Sequence, residues 1–151
     1  MALKSLIERY QKLIFNLILH LAGCDRQTAF TLTISSFVES IRSSSATKTD
    51  GGFLQSLLKS AIYHCRNTPL APAFDPLDLG TLAAPKKESL RIVREGLSAL
   101  SFGDKSLLLL RDQNQLPYTD LSAVLGIPKK EIRSQVTKAR IHLMDNVREI
   151  L

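Results

Sequence analysis

Tryptophan is absent from this sequence, and aromatic residues of any kind make up only 6% of its 151 positions. Glycine is sparse too, and leucine, isoleucine, alanine, serine and lysine dominate, a composition that points to an all-α protein. Cysteine is limited to Cys24 and Cys65, too few and too isolated for a disulfide framework, and both suit buried thiols in a reducing cytoplasm. No segment approaches the ~20 apolar residues of a membrane span. A Gly-rich phosphate loop, a Ser/His/Asp or Cys/His set and paired carboxylates on one helical face are all missing, which excludes the common catalytic classes. The chain therefore reads as a non-enzyme that needs no cofactor.

Two weaker patterns compete with that reading. His20, Cys24, His64 and Cys65 could be drawn together as zinc ligands, but adjacent helical residues such as His64 and Cys65 point about 100° apart and converge poorly on one ion. No metal site is expected. Leu21-Ala22-Gly23-Cys24 has the form of a lipoprotein cleavage site after the apolar run Leu13 to Leu21, which would place the protein outside the cytoplasm. Against export, the apolar positions Leu3, Leu6, Ile7, Tyr10, Leu13, Ile14, Leu17, Ile18 and Leu21 already form one helical stripe through the would-be charged region, and Glu8 lies inside it. A cytoplasmic protein with no membrane contact is the expectation.

What is present is charge of one sign and a strong pattern of helices. The net charge is +6, which favours a polyanionic partner. A second helix follows Asp25 or Thr28 as cap, with Ala29, Leu32, Thr33, Phe37 and Ile41 at roughly helical spacing. Residues 43–52 are polar and end in Gly51-Gly52, so a loop is expected there, with a third helix from Phe53 to about Arg66. Pro69, Pro72, Pro76 and Pro85 then mark an extended linker over residues 68–88. Two small helical domains on a tether result, 1–67 and 89–151.

The last third carries the sharpest signal. An apolar helix from Leu100, a short second helix, a Gly126-Ile127-Pro128 turn and a basic third helix follow one another. Gly126 can take the positive φ that ends a helix, and Pro128 pre-sets φ for the next. From Lys129, the residues Ile132, Val136, Ala139 and Leu143 fall on one narrow helical face, while Lys129, Lys130, Arg133, Ser134, Thr137, Lys138 and Arg140 occupy the others. Such a helix suits the DNA major groove, where cations meet phosphates and Arg, Gln or Ser meet base edges.

The arrangement resembles a group IV, or extracytoplasmic-function, sigma factor of the sigma-70 family. The segments Leu97-Ser98-Ala99-Leu100, Leu107 to Arg111, Leu116 to Ser122, Leu125 to Pro128 and Ile132 to Arg140 track the fourth sigma region. By that resemblance, the helix from Lys129 to about His142 binds the −35 promoter element, with Arg133, Ser134, Gln135 and Lys138 nearest the bases or phosphates. Gln135 stands where the family usually has Arg.

The N-terminal likeness, over roughly Leu3 to Asn67, is to a divergent second region. It implies that Phe53 or Tyr63 stacks on bases of the −10 element while Lys59 and Arg66 neutralise its backbone. The family's acidic clamp-binding motif aligns with residues 29–37, which keep an apolar frame and contain no acid. Phe30, Ile34 and Ser35 there are candidate contacts to core RNA polymerase or another partner, although, as large apolar residues, at least two of Phe30, Ile34 and Phe37 are expected in the core. Promoter DNA, core polymerase and an anti-sigma protein are the partners that the resemblance implies. The alternative is a regulator that kept the DNA-reading domain and uses residues 1–67 to bind a different protein.

Overall fold

The first helix carries nine apolar positions on one stripe, and the computed structural model of the chain forms it as α1, Leu3–Ala22. Residues 3–43, 50–67 and 84–151 are described in it, and every regular element among them is helical. Leu6, Ile14, Leu17, Ile18 and Leu21 of α1 are buried, so the apolar run before Cys24 is core-forming, and Cys24 itself is buried. Gly23, at φ 64°, turns the chain. Asp25 then caps α2 (Arg26–Arg42), its carboxylate accepting the Thr28 amide at 2.7 Å, which settles the choice between the two possible caps.

Helix α3, Asp50–Asn67, begins three residues before the expected Phe53, with Gly51 and Gly52 inside its first turn. Helices α1, α2 and α3 pack pairwise into a bundle around Leu17, Phe37, Phe53, Leu57 and Leu58. The Phe53 ring sits 6.2 Å from that of Phe37 and 6.5 Å from that of Tyr10.

Helix α4, Ala84–Ser98, takes over the last residues assigned to the linker, with Pro85 in its first turn, where a missing amide hydrogen costs nothing. The remaining linker residues, 68–83, lie outside the described ones. Ser101 caps α5 (Phe102–Leu108), which widens into a π-helical turn at Leu109–Gln113. Asn114 closes that turn from both backbone and side chain onto the Leu109 carbonyl, and Gln115 follows at φ 55°. Helices α6 (Tyr118–Leu125) and α7 (Lys129–Ile150) complete the chain, α7 running two turns beyond the expected end near His142.

Helix α7 is the spine of this half and packs against α4, α5 and α6. The two sets of helices also meet. Helix α3 packs on α6, and α1 on α5 and its π-turn, so the buried side chains form one continuous cluster in place of two separate cores. Gln55 donates to Asp120 at 3.1 Å across that junction, and the Arg66 guanidinium lies 5.0 Å from the Phe102 ring centre.

Candidate nucleic-acid interface

Local chemistry builds the turn between α6 and α7. Gly126 ends α6 at φ 70° and ψ 25°, and its amide closes onto the Ser122 carbonyl at 3.0 Å. The Ser122 hydroxyl donates to the Ile127 carbonyl, tying the turn back to the helix. Pro128, at φ −55° and ψ 139°, takes the cap position of α7. Ile132, Val136 and Ala139 are buried and Leu143 packs against the same core, so the stripe read from the sequence is the inward face of α7.

That assignment fixes which residues point away. With about 100° per residue, Lys130, Ser134 and Thr137 lie opposite the buried stripe and Arg133 lies on its shoulder; all four are exposed. Lys138 is exposed as far from the stripe as Thr137 is, on the other side, and Lys129 is exposed at its flank. The hydroxyls of Ser134 and Thr137 donate to the carbonyls of Glu131 and Arg133 within the helix, leaving oxygen lone pairs outward.

Two candidates differ from the rest. Gln135 is half-buried at the margin of the apolar stripe, well away from the cationic face. Arg140 is held by Asp112 through Nε at 3.0 Å and a second bond from the guanidinium, so it braces α7 against the π-turn. The pairing holds the Asp112 carboxyl below its ordinary value, chiefly through the hydrogen bond from Arg140.

Tyr118, at the start of α6, organises the other side. The Arg111 guanidinium lies 4.2 Å from its ring centre and that of Arg133 lies 5.6 Å away. Arg111 also donates to the Leu116 carbonyl at 2.9 Å. Two guanidinium groups thus share one aromatic ring, and the contact restrains Arg133. The sequence signal for this was an aromatic residue directly after Pro117, one helix away from the cation that it holds.

The residues proposed for a second DNA contact divide. Phe53 is fully buried between Tyr10 and Phe37, which corrects the expectation that it stacks on a base. Tyr63 is 62% exposed, with its ring edge-on to His64, and Lys59 is exposed on the same helix. Arg66 is exposed, and its guanidinium rests on Phe102. Among the described residues, no group of three His, Cys, Asp or Glu could hold a metal ion.

Of Phe30, Ile34 and Phe37, at least two of which were expected in the core, Phe30 and Ile34 are exposed on α2 and only Phe37 is buried. They line a groove of about 550 Å³ between α1 and α2. Ser35, half-buried, lies outside that lining. Glu39, on the opposite side of α2, accepts from Ser60 at 2.6 Å and sits 3.0 Å from His64 Nε2. Those contacts hold its carboxyl below the usual range, the Ser60 hydrogen bond foremost.

Residues 90–143 match the family model described as Sigma-70, region 4. The match begins in α4 and ends in α7, and so spans the turn and the cationic face just described. Residues 90–143 are therefore similar to sigma region 4, a domain whose general role is recognition of a −35 promoter element. No curated protein matches the chain. None of the helices among the described residues is long and apolar enough to cross a membrane.

Proposed function

We propose that the chain is a sigma factor of the group IV kind, with α7 reading the −35 element and residues 1–67 serving as a divergent second region that docks on core RNA polymerase. The observation that carries the reading is the exposed set Lys130, Ser134 and Thr137 opposite the buried stripe of α7, with Arg133 on its shoulder, held there by the Gly126 turn. Arg133 is the base-reading candidate, because a guanidinium restrained on Tyr118 loses less freedom on meeting a guanine edge. Lys129, Lys130 and Lys138 are assigned to phosphates, Ser134 and Thr137 to base edges or phosphate. Contact with a −10 element falls to Tyr63, Lys59 and Arg66, without Phe53. The family role further implies a cytoplasmic protein, and an anti-sigma protein among its partners.

A second reading has its own support. The groove that would face polymerase is lined by Ile7, Phe15, Phe30, Ile34 and Phe37 and by no carboxylate, whereas a basic clamp surface calls for acids. On that reading the chain is a regulator that keeps the DNA-reading domain and binds another protein through residues 1–67.

One set of measurements separates them. Duplexes selected by the full chain from a randomised library are titrated with wild type and with Arg133→Ala. The expected loss is about 1–3 kcal/mol on the selected duplex and much less on a scrambled one; an equal loss on both would reassign Arg133 to phosphate, and no selection at all would remove the DNA-reading role. Co-elution with bacterial core polymerase supports the sigma factor, while DNA selection without co-elution supports the regulator.

A further inference from the structure

Consecutive residues of the π-turn serve two arginines of helix α7. Asp112 takes Arg140 into an ion pair. Arg111, one residue earlier, reaches forward along its own chain instead: its guanidinium donates to the Leu116 carbonyl at 2.9 Å and lies 4.2 Å from the centre of the Tyr118 ring. Tyr118 is fixed at both ends by this arrangement. Its backbone follows Pro117, which occupies the cap position of α6 at φ −60° and ψ 151°, and its side chain packs against the hydrophobic core with Arg111 upon it.

Arg133 comes to the same ring from a different helix, 5.6 Å from its centre, so the contact exists only once α7 has packed on α6. Asp112, the acid of this corner, is already taken by Arg140, and among the described residues no carboxylate pairs with Arg133.

That difference decides what each arginine can do. A carboxylate consumes guanidinium N–H groups, as Asp112 does with Arg140. An aromatic ring holds the cation through its quadrupole and leaves the five N–H donors unspent. Arg133 is therefore restrained in position, exposed, and still able to present its fork to the O6 and N7 acceptors of a guanine. An arginine on an open helix face otherwise spreads over many rotamers, and the ordering of those rotamers is a cost that binding must meet.

We propose that Tyr118 is a positioning residue for sequence readout: seated by Arg111, its ring holds Arg133 in the pose that meets a base, so the selectivity of α7 is set in part from the start of α6. The proposal rests on the reading of α7 as the promoter-binding helix and deepens it by naming a residue that determines specificity without meeting a base. A ring that touched DNA directly would act whether or not Arg133 were present, and that difference is measurable.

The test is a double-mutant cycle on the full chain. Affinities for a duplex selected from a randomised library and for a scrambled one are measured with wild type, Tyr118→Leu, Tyr118→Phe, Arg133→Ala and the Tyr118→Leu/Arg133→Ala double variant, and circular dichroism checks that each is folded. Tyr118→Leu is expected to reduce the ratio of the two affinities by about two- to fivefold, the size of one exposed cation–π contact. Tyr118→Phe keeps the ring and is expected to keep the wild-type ratio. In the Arg133→Ala background, Tyr118→Leu is expected to change the ratio no further. A second measurement needs neither DNA nor a variant: NMR of the free wild-type chain is expected to show nuclear Overhauser contacts between the Tyr118 ring protons and the Arg133 side chain. Their absence would overturn the proposal even if Tyr118→Leu failed to fold.

Equal losses on the selected and scrambled duplexes would overturn it too and assign Tyr118 to a phosphate contact. So would a Tyr118→Phe variant as impaired as Tyr118→Leu, since the hydroxyl would then be the working group, and so would an undiminished effect of Tyr118→Leu when Arg133 is already absent. Selection by wild type that is indifferent to Tyr118 rejects the positioning role alone. No selection by wild type rejects the promoter-reading function, and the positioning role with it.

Discussion

Arg140 and Arg133 differ by seven residues and about two turns of the same helix, yet they perform different tasks. Arg140 is bound in fork geometry to Asp112 and links α7 to the π-turn, while Arg133 rests on the Tyr118 ring and faces outward. The distinction predicts opposite phenotypes. Asp112→Asn should lower stability by about 0.5–1 kcal/mol, the range for a pair whose side chains remain nearly half exposed. Since the folded Asp112 carboxyl is held below its ordinary value, its contribution is present above the unfolded value and disappears as pH falls through the folded one. Thermal melts of wild type and Asp112→Asn should therefore differ at neutral pH and converge in strong acid. A gap that persists in acid would mean that the variant acts by some route other than the ion pair. Sequence reading placed both arginines on the polar faces of α7, because helical period is a local property. It did not find Asp112 or Tyr118, since each meets its arginine only once α7 has packed against α5, its π-turn and α6.

Helices α6 and α7 were legible almost in full, since their signals are contained in neighbouring residues: a glycine at positive φ, a proline at the cap, a stripe with one period. Helix α2 was legible as a helix and in most of its facing, since Ala29, Leu32, Thr33 and Phe37, read at helical spacing, form its buried side with Ile41 packed against it. Hydrophobicity alone did not find Ser36 and Ser40, which are inside where α2 packs on α1 and α3, while Phe30 and Ile34 stay out. The N-terminus of α4 was hidden for another reason, because proline reads as a breaker although the first helical turn accepts it. The contact of α4 with α7 yields a further test. A Cβ built on Gly96 would lie 3.0 Å from Val147 Cγ2 and 3.2 Å from Leu143 Cδ1, and the Asn146 side chain donates to the Gly96 carbonyl at 3.1 Å. Gly96→Ala should be nearly neutral, helix propensity offsetting a few tenths of an ångström of adjustment. Gly96→Leu should cost about 1–3 kcal/mol in chemical denaturation, as an overpacked contact does. Equal stability of wild type and the Leu variant would show that α4 is not seated on α7.

At the scale of the whole molecule, the question is whether residues 3–67 and 84–151 act as two bodies or one. Two domains on a tether would melt independently, and a mutation in one would leave the other's stability untouched. The junction described above argues for coupling: α3 lies on α6, α1 lies on α5 and its π-turn, Gln55 reaches Asp120, and Arg66 covers Phe102. The inward faces at this junction are apolar and continuous with both sets of core residues, so separating them would expose buried surface from each. The cationic face of α7 is outside the junction, which lets the halves remain packed while Lys130, Arg133 and Ser134 stay open. Leu17→Ala, deep in the N-terminal bundle, is the discriminating variant. Its cavity should cost about 2–5 kcal/mol. If the halves share one cooperative unit, hydrogen exchange of the α7 amides around Val136 should accelerate in step with those of α1, and calorimetry should give a single shifted transition. If the α7 amides keep wild-type protection while those of α1 lose theirs, the halves are separable, and the interface between them is a contact that the protein can release without unfolding either.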